Sequence, residues 1–103
     1  MNTRTEAWVT DAITRWLRTV PDLYWVKIHG GGPYQRAGLP DLFIVKDGRA
    51  FAIEVKRPTG GRLSPGQRRE LEKLAAAGAT VGVARSLEEA QAILAMPSIP
   101  RSS

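Results

Sequence analysis

The chain has 103 residues, 43% of them hydrophobic, which suits one globular domain and leaves no room for a second. Cysteine is absent, excluding disulfides and thiolate metal sites; with no membrane-length apolar run and no signal-peptide pattern, a cytoplasmic setting is expected. The 15 Lys and Arg outnumber the 10 acids, a balance that suits a polyanionic partner, although many small soluble proteins are also basic.

Thr3 to Val20 is expected to form a first helix. Val9, Ile13, Trp16, Leu17 and Val20 recur at three- and four-residue spacing, and Thr3-x-x-Glu6 has the form of a capping box. Pro21-Asp22 ends it. A short strand over 24–29 follows, then the glycine-rich stretch from Gly30 to Pro40, read as a loop. Asp41 to Lys46 and Arg49 to Lys56 are two apolar runs joined by Asp47-Gly48, a two-residue hairpin signal. Pro58 and Gly60-Gly61 break the chain. Ser64-Pro65-Gly66-Gln67 then starts a second helix, with serine at the cap and proline in the first turn; Gly78 closes it. Thr80 to Ala84 is a last strand, and Ser86 caps a third helix that ends before Pro97. Residues 97–103 are expected to be a flexible tail. The order of helix, three-stranded meander, helix, strand and helix predicts an α/β fold, a central mixed sheet flanked by helices. The third strand, second helix and fourth strand form a parallel crossover.

The hairpin carries the sharpest expectation. A two-residue turn at Asp47-Gly48 pairs Lys46 with Arg49, Val45 with Ala50, Phe43 with Ala52 and Asp41 with Glu54. Side chains alternate between faces, so Asp41, Glu54 and Lys56 project to one side. Opposed residues have Cβ atoms ~5 Å apart, and two carboxylates at that distance repel unless a cation lies between them. A hard divalent cation such as Mg²⁺ takes oxygen ligands of this kind, and the carbonyl of Val55 offers one more. Lys56 can orient or deprotonate a water or stabilise developing negative charge. A metal that polarises phosphoryl oxygen, beside a positioned charge, meets the needs of phosphodiester hydrolysis. The competing reading is a surface ion cluster. Both faces of the hairpin are largely apolar, so it is expected to be covered on both sides, with its charged end facing a cleft.

Gly38-Leu39-Pro40-Asp41, a strand, and then Glu54-Val55-Lys56 resembles the PD-(D/E)xK nuclease superfamily, whose restriction-endonuclease-like core has this order of elements. The Gly-Leu-Pro-Asp-Leu form, the Glu-Val-Lys-Arg-Pro continuation and Leu63-Ser64-Pro65-Gly66-Gln67 are similar to the VRR-NUC family, in particular its stand-alone phage and bacterial members. The resemblance implies a VRR-NUC-like nuclease domain over residues 1–96, in which Asp41, Glu54 and the Val55 carbonyl bind Mg²⁺ or Mn²⁺ and Lys56 is the catalytic lysine. It also implies a homodimeric endonuclease that cuts branched DNA such as four-way (Holliday) junctions in repair, recombination or phage DNA processing, without a nucleotide cofactor. Archaeal-type junction resolvases share these motifs. A restriction-type or nicking nuclease, or a non-catalytic DNA-binding module on the same fold, are the alternatives.

Further residues carry two readings each. Glu6 completes the capping box or, as the family often has it, places an acid near the metal. Gln67 caps the second helix or, on the inward stripe with Leu71 and Leu74, joins the active site. Arg36, Arg57, Arg62, Arg68 and Arg69 are candidates for phosphate contacts, and Tyr34 for a DNA contact; any one of them can be merely solvated. His29 reads as structural. Trp8, Trp16 and Trp25 read as core or dimer residues.

Overall fold

The computed structural model describes residues 3–28 and 37–98, so His29, Tyr34, Arg36 and the stretch 99–103 lie outside the described residues. The elements follow in the expected order: α1 (Glu6–Leu17), β1 (Leu23–Lys27), β2 (Leu42–Lys46), β3 (Arg49–Val55), α2 (Pro65–Ala76), β4 (Thr80–Ala84) and α3 (Leu87–Leu94). The strands form one sheet in the order β1-β2-β3-β4. β1 and β2 are antiparallel, as are β2 and β3, whereas β4 runs parallel to β3 after the α2 crossover.

The meander depends on the turn. Asp47 and Gly48 both have positive φ, 53° and 73°, the combination of a turn whose twist matches that of the flanking strands. The register that results pairs Lys46 with Arg49, Val45 with Ala50 and Phe43 with Ala52. One face of the hairpin, Leu42, Ile44, Phe51, Ile53 and Val55, is buried to 1% exposure or less. It packs with Val9, Ile13 and Leu17 of α1 and Ala90 and Ile93 of α3 in the main core. The three α1 residues are four apart, so they form one stripe along the helix.

Three expectations need correction here. α1 is shorter at both ends than 3–20, and its cap is Thr5, whose side chain accepts from the Trp8 backbone N–H at 3.1 Å. Glu6 is therefore the first helical residue, N1, two positions short of the N3 place that a capping-box acid takes. At the other end the Thr19 hydroxyl donates to the Trp16 carbonyl at 2.7 Å, and the Thr19 and Val20 N–H groups bond only three residues back; the helix tightens and stops. β1 covers 23–27 rather than 24–29, with the Ile28 N–H donating to the Asp41 carbonyl beyond its end. Finally, the hairpin is covered on both sides only along β3, where Ala52 and Glu54 of the second face are buried. α2 contacts β4, leaving Val45 38%, Val26 37% and Tyr24 64% exposed on the β1–β2 side. No helix among the described residues is long and apolar enough to cross a membrane.

Candidate active site

β3 delivers Glu54 at its penultimate position and Lys56 one residue past its end. Glu54 is the more deeply buried, at 2% exposure. Asp41 was expected to open β2; the strand begins at Leu42, and Asp41 stands just before it. Its carbonyl still accepts from Ile28, but its pairing with β3 is made by the side chain: Oδ2 accepts the Val55 N–H at 2.7 Å. This bond aims Asp41 at the end of β3 and leaves its other oxygen free of that duty. N–H and C=O of one strand residue point to the same neighbour, so the Val55 carbonyl is also directed to the Asp41 side.

The two carboxylates meet. Burial first, then a hydrogen bond to Asp41 and the Asp41 charge, push the Glu54 carboxyl up to about 9; Lys56 opposes this and Glu6 adds to it. Between two ionised carboxylates there is no donor, so without a cation one proton must be held there. Glu54 Oε1 accepts from Gln67 Nε2 at 3.3 Å, whereas no N–H or O–H donor of another residue reaches the buried Oε2, leaving a proton shared with Asp41 or a cation to satisfy it. A buried carboxylate oxygen that no donor reaches, beside a second carboxylate, fits the oxygen donor set of a hard divalent cation. The set is small: among the described residues no cluster of three or more His, Cys, Asp or Glu side chains could hold a metal. Water and phosphate would have to fill the remaining positions.

Gln67 both caps α2 and reaches the side chains of Lys56 and Glu54. Ser64 and Gln67 form a reciprocal capping box at the start of α2, with the Ser64 N–H donating to Gln67 Oε1 at 2.9 Å and the Gln67 N–H donating to Ser64 Oγ at 3.1 Å. The same Oε1 accepts from Lys56 Nζ at 3.1 Å. With two donors on its oxygen and Glu54 on its nitrogen, the amide has one orientation, and it fastens α2 to the Lys56 amine and the Glu54 carboxylate.

Gly38 brings α2 close enough for this. At φ 87°, a Cβ there would lie 2.7 Å from the Gly66 carbonyl carbon and oxygen. The loop before Asp41 thus rests on the first turn of α2, where no side chain fits. The role of Gly38 is not visible in its motif; the contact with Gly66, 28 positions away, shows it.

Glu6 is exposed, and its charge acts on Glu54. It lines an adjoining cleft with Thr3, Thr5, Lys56, Arg57 and Gly61. Arg57, Arg62, Arg68 and Arg69 are exposed. Trp16 and Trp25 pack against the core, but Trp8 is 46% exposed, with the Arg4 guanidinium 4.0 Å from its ring centre.

The arrangement invites comparison with known proteins. No curated protein matches the sequence. A solved structure described as a VRR_NUC domain is similar with a TM-score of 0.70 and 25% identity, covering 88% of this chain and 96% of its own. A second, described as a VRR_NUC domain protein, has a TM-score of 0.72 at 21% identity, covering 88% and 85%; at that identity it speaks for the fold alone. Both agree with a restriction-endonuclease-like fold of three helices on a four-stranded mixed sheet. The VRR-NUC domain family itself matches residues 33–88, from the loop before Asp41 through the start of α3, and with more than half of the sequence covered the chain belongs to this nuclease-type family.

Proposed function

We propose that the protein is a divalent-cation-dependent endonuclease that hydrolyses phosphodiester bonds of branched DNA, four-way junctions among them, and acts as a homodimer. The observation that carries the reading is the pair Asp41 and Glu54, forced together with an unpartnered buried oxygen beside the Lys56 amine. Mg²⁺ or Mn²⁺, held by Asp41, Glu54 and the Val55 carbonyl, supplies polarisation of a phosphoryl oxygen and a more acidic water. The chain's own residues do the rest. Asp41 is oriented by the Val55 N–H. Gln67 holds both the Lys56 ammonium and the Glu54 carboxylate, so the amine stays at the carboxylate pair, where it orients the attacking water and stabilises negative charge gathering on the phosphate. Glu6 contributes charge at the cleft. Arg57, Arg62, Arg68 and Arg69, with Arg36 and Tyr34, supply contacts to the DNA backbone, which give affinity without sequence preference. Two copies related by a twofold axis suit paired cuts across a symmetric junction.

The test is cleavage of labelled four-way, nicked and linear DNA with and without Mg²⁺. Asp41→Ala and Lys56→Ala are expected to lower kcat by at least about a hundredfold, in line with losing one charge-stabilising group, while remaining folded by circular dichroism. Arg57→Ala and Arg62→Ala should instead weaken binding and each reduce the salt slope by about one. Wild-type rates in the Asp41 and Lys56 variants would defeat the catalytic assignment. Equal cutting of all three DNAs would favour a restriction-type or nicking enzyme, and DNA binding without cutting a non-catalytic module.

A further inference from the structure

Lys56 and Arg57 leave β3 into a turn, Arg57-Pro58-Thr59-Gly60-Gly61, that belongs to no strand or helix. Pro58 has no N–H to donate, and Gly60 and Gly61 both have left-handed φ, 74° and 64°. Such a segment has little intrinsic order. It is ordered from outside. Arg85, the first residue after β4, donates from Nη1 to the Arg57 carbonyl at 2.9 Å and to the Gly60 carbonyl at 2.5 Å, and from Nη2 to the Gly61 carbonyl at 2.7 Å. Three carbonyls of one turn converge on one guanidinium.

Arg85 is itself anchored. Its backbone N–H donates to Glu89 Oε1 at 2.7 Å in the first turn of α3, and its neighbour Ala84 accepts the Lys56 N–H at 3.0 Å, continuing the parallel ladder one residue past β3. The turn in its clamped shape is the surface on which the two site side chains lie: a Cβ on Gly61 would be in ordinary contact with Arg57 Cγ at 3.6 Å and Lys56 Cδ at 3.9 Å. Lys56, Arg57 and Gly61 together line the cleft beside Glu6. Unlike the exposed arginines of this region, Arg85 spends its donors on the protein's own backbone, and its planar fork spreads them over two nitrogens, Nη1 and Nη2, a span that a single ammonium nitrogen does not match.

We propose that Arg85 is a positioning residue of the nuclease site, whose guanidinium holds the 57–61 turn so that Lys56 and Arg57 stay presented at the cleft. This rests on the roles given above to Lys56 and Arg57. The experiment compares wild type, Arg85→Ala and Arg85→Lys for four-way-junction cleavage in Mg²⁺, with and without millimolar guanidinium, and for trypsin cleavage at Arg62–Leu63, just past the turn. Arg85→Ala is expected to lower kcat on the order of tenfold to a hundredfold, the cost of a small misplacement of a catalytic group. Free guanidinium should restore part of it and should do nothing for Lys56→Ala. Arg62–Leu63 should be cut faster in Arg85→Ala, and guanidinium should slow it again. Arg85→Lys should resemble Arg85→Ala while keeping the charge, and it carries the comparison if the alanine variant does not fold. Wild-type kcat in either folded variant overturns the proposal, as does a loss of kcat that guanidinium leaves untouched. If the wild type cuts no DNA, the nuclease reading falls; unchanged trypsin cleavage would then overturn the clamp as well.

Discussion

Glu54 is where the fold and the proposed chemistry conflict most directly. A carboxyl 2% exposed beside Asp41, and raised to about 9 from an ordinary 4.5, is expected to share one proton with Asp41 in the metal-free protein across neutral pH. The sign of the stability effect follows. The raised group stabilises the fold fully below pH 4.5, and this contribution is lost as pH climbs toward 9. Metal-free protein is therefore expected to lose thermal stability between pH 5 and pH 9, at a slope of up to about 1.4 kcal/mol per pH unit. Mn²⁺ or Mg²⁺ should displace the proton and bind more tightly as pH rises. Glu54→Gln, which stays neutral, should flatten both the pH dependence of the melting temperature and the gain on adding metal. A melting temperature equally indifferent to pH and metal in the wild type would contradict the proposed metal site. Gln67 belongs to the same scale: its place three residues after Ser64 and on the inward stripe offered a cap or a contact with the carboxylate strand as alternatives, and one amide makes both.

Among the elements, the two glycine-dependent joints differ in kind. Gly48 lies in the β2–β3 turn at φ 73°, and a Cβ there meets nothing within 4 Å. Gly48→Ala should cost only the left-handed backbone penalty, about 1–2 kcal/mol. Gly38 adds to the same kind of backbone a collision with Gly66, so Gly38→Ala should cost more, about 2–4 kcal/mol. It should also pull α2 away from the carboxylates. Urea denaturation checks the order of the two, and cleavage assays check the second effect: Gly48→Ala should keep its kcat and Gly38→Ala should not. Equal losses in both assays would mean that the Gly38–Gly66 approach does not position α2.

For the whole molecule, the sheet is unevenly covered. α1 and α3 seal one face, while Tyr24, Val26 and Val45 stay open on the other, beyond the reach of α2. The proposed homodimer is tested by sedimentation at micromolar concentration, where a particle of about twice 11.3 kDa is expected; a monomer that still cuts both strands of a junction would remove the need for twofold symmetry.

The hairpin and its register were legible in the chain because they are local. Asp47-Gly48 sets the turn, strand side chains alternate with period two, and Glu54 and Lys56 necessarily share a face. Ser64 and Ser86 as caps, and the closing of α2 near Gly78, follow from equally short-range rules. What depended on how helices dock could not be read that way. Thr5 rather than Thr3 caps α1, and α2 shields only part of its sheet face. Asp41 serves the site through a side-chain bond to Val55 instead of a strand pair, Gly38 abuts Gly66, and Arg85 reaches back across 24 to 28 positions to clamp the turn after β3. The Thr5 cap is itself a local contact, three residues from Trp8; the others join segments distant in sequence, and their geometry is decided by packing, which no local pattern of residues encodes.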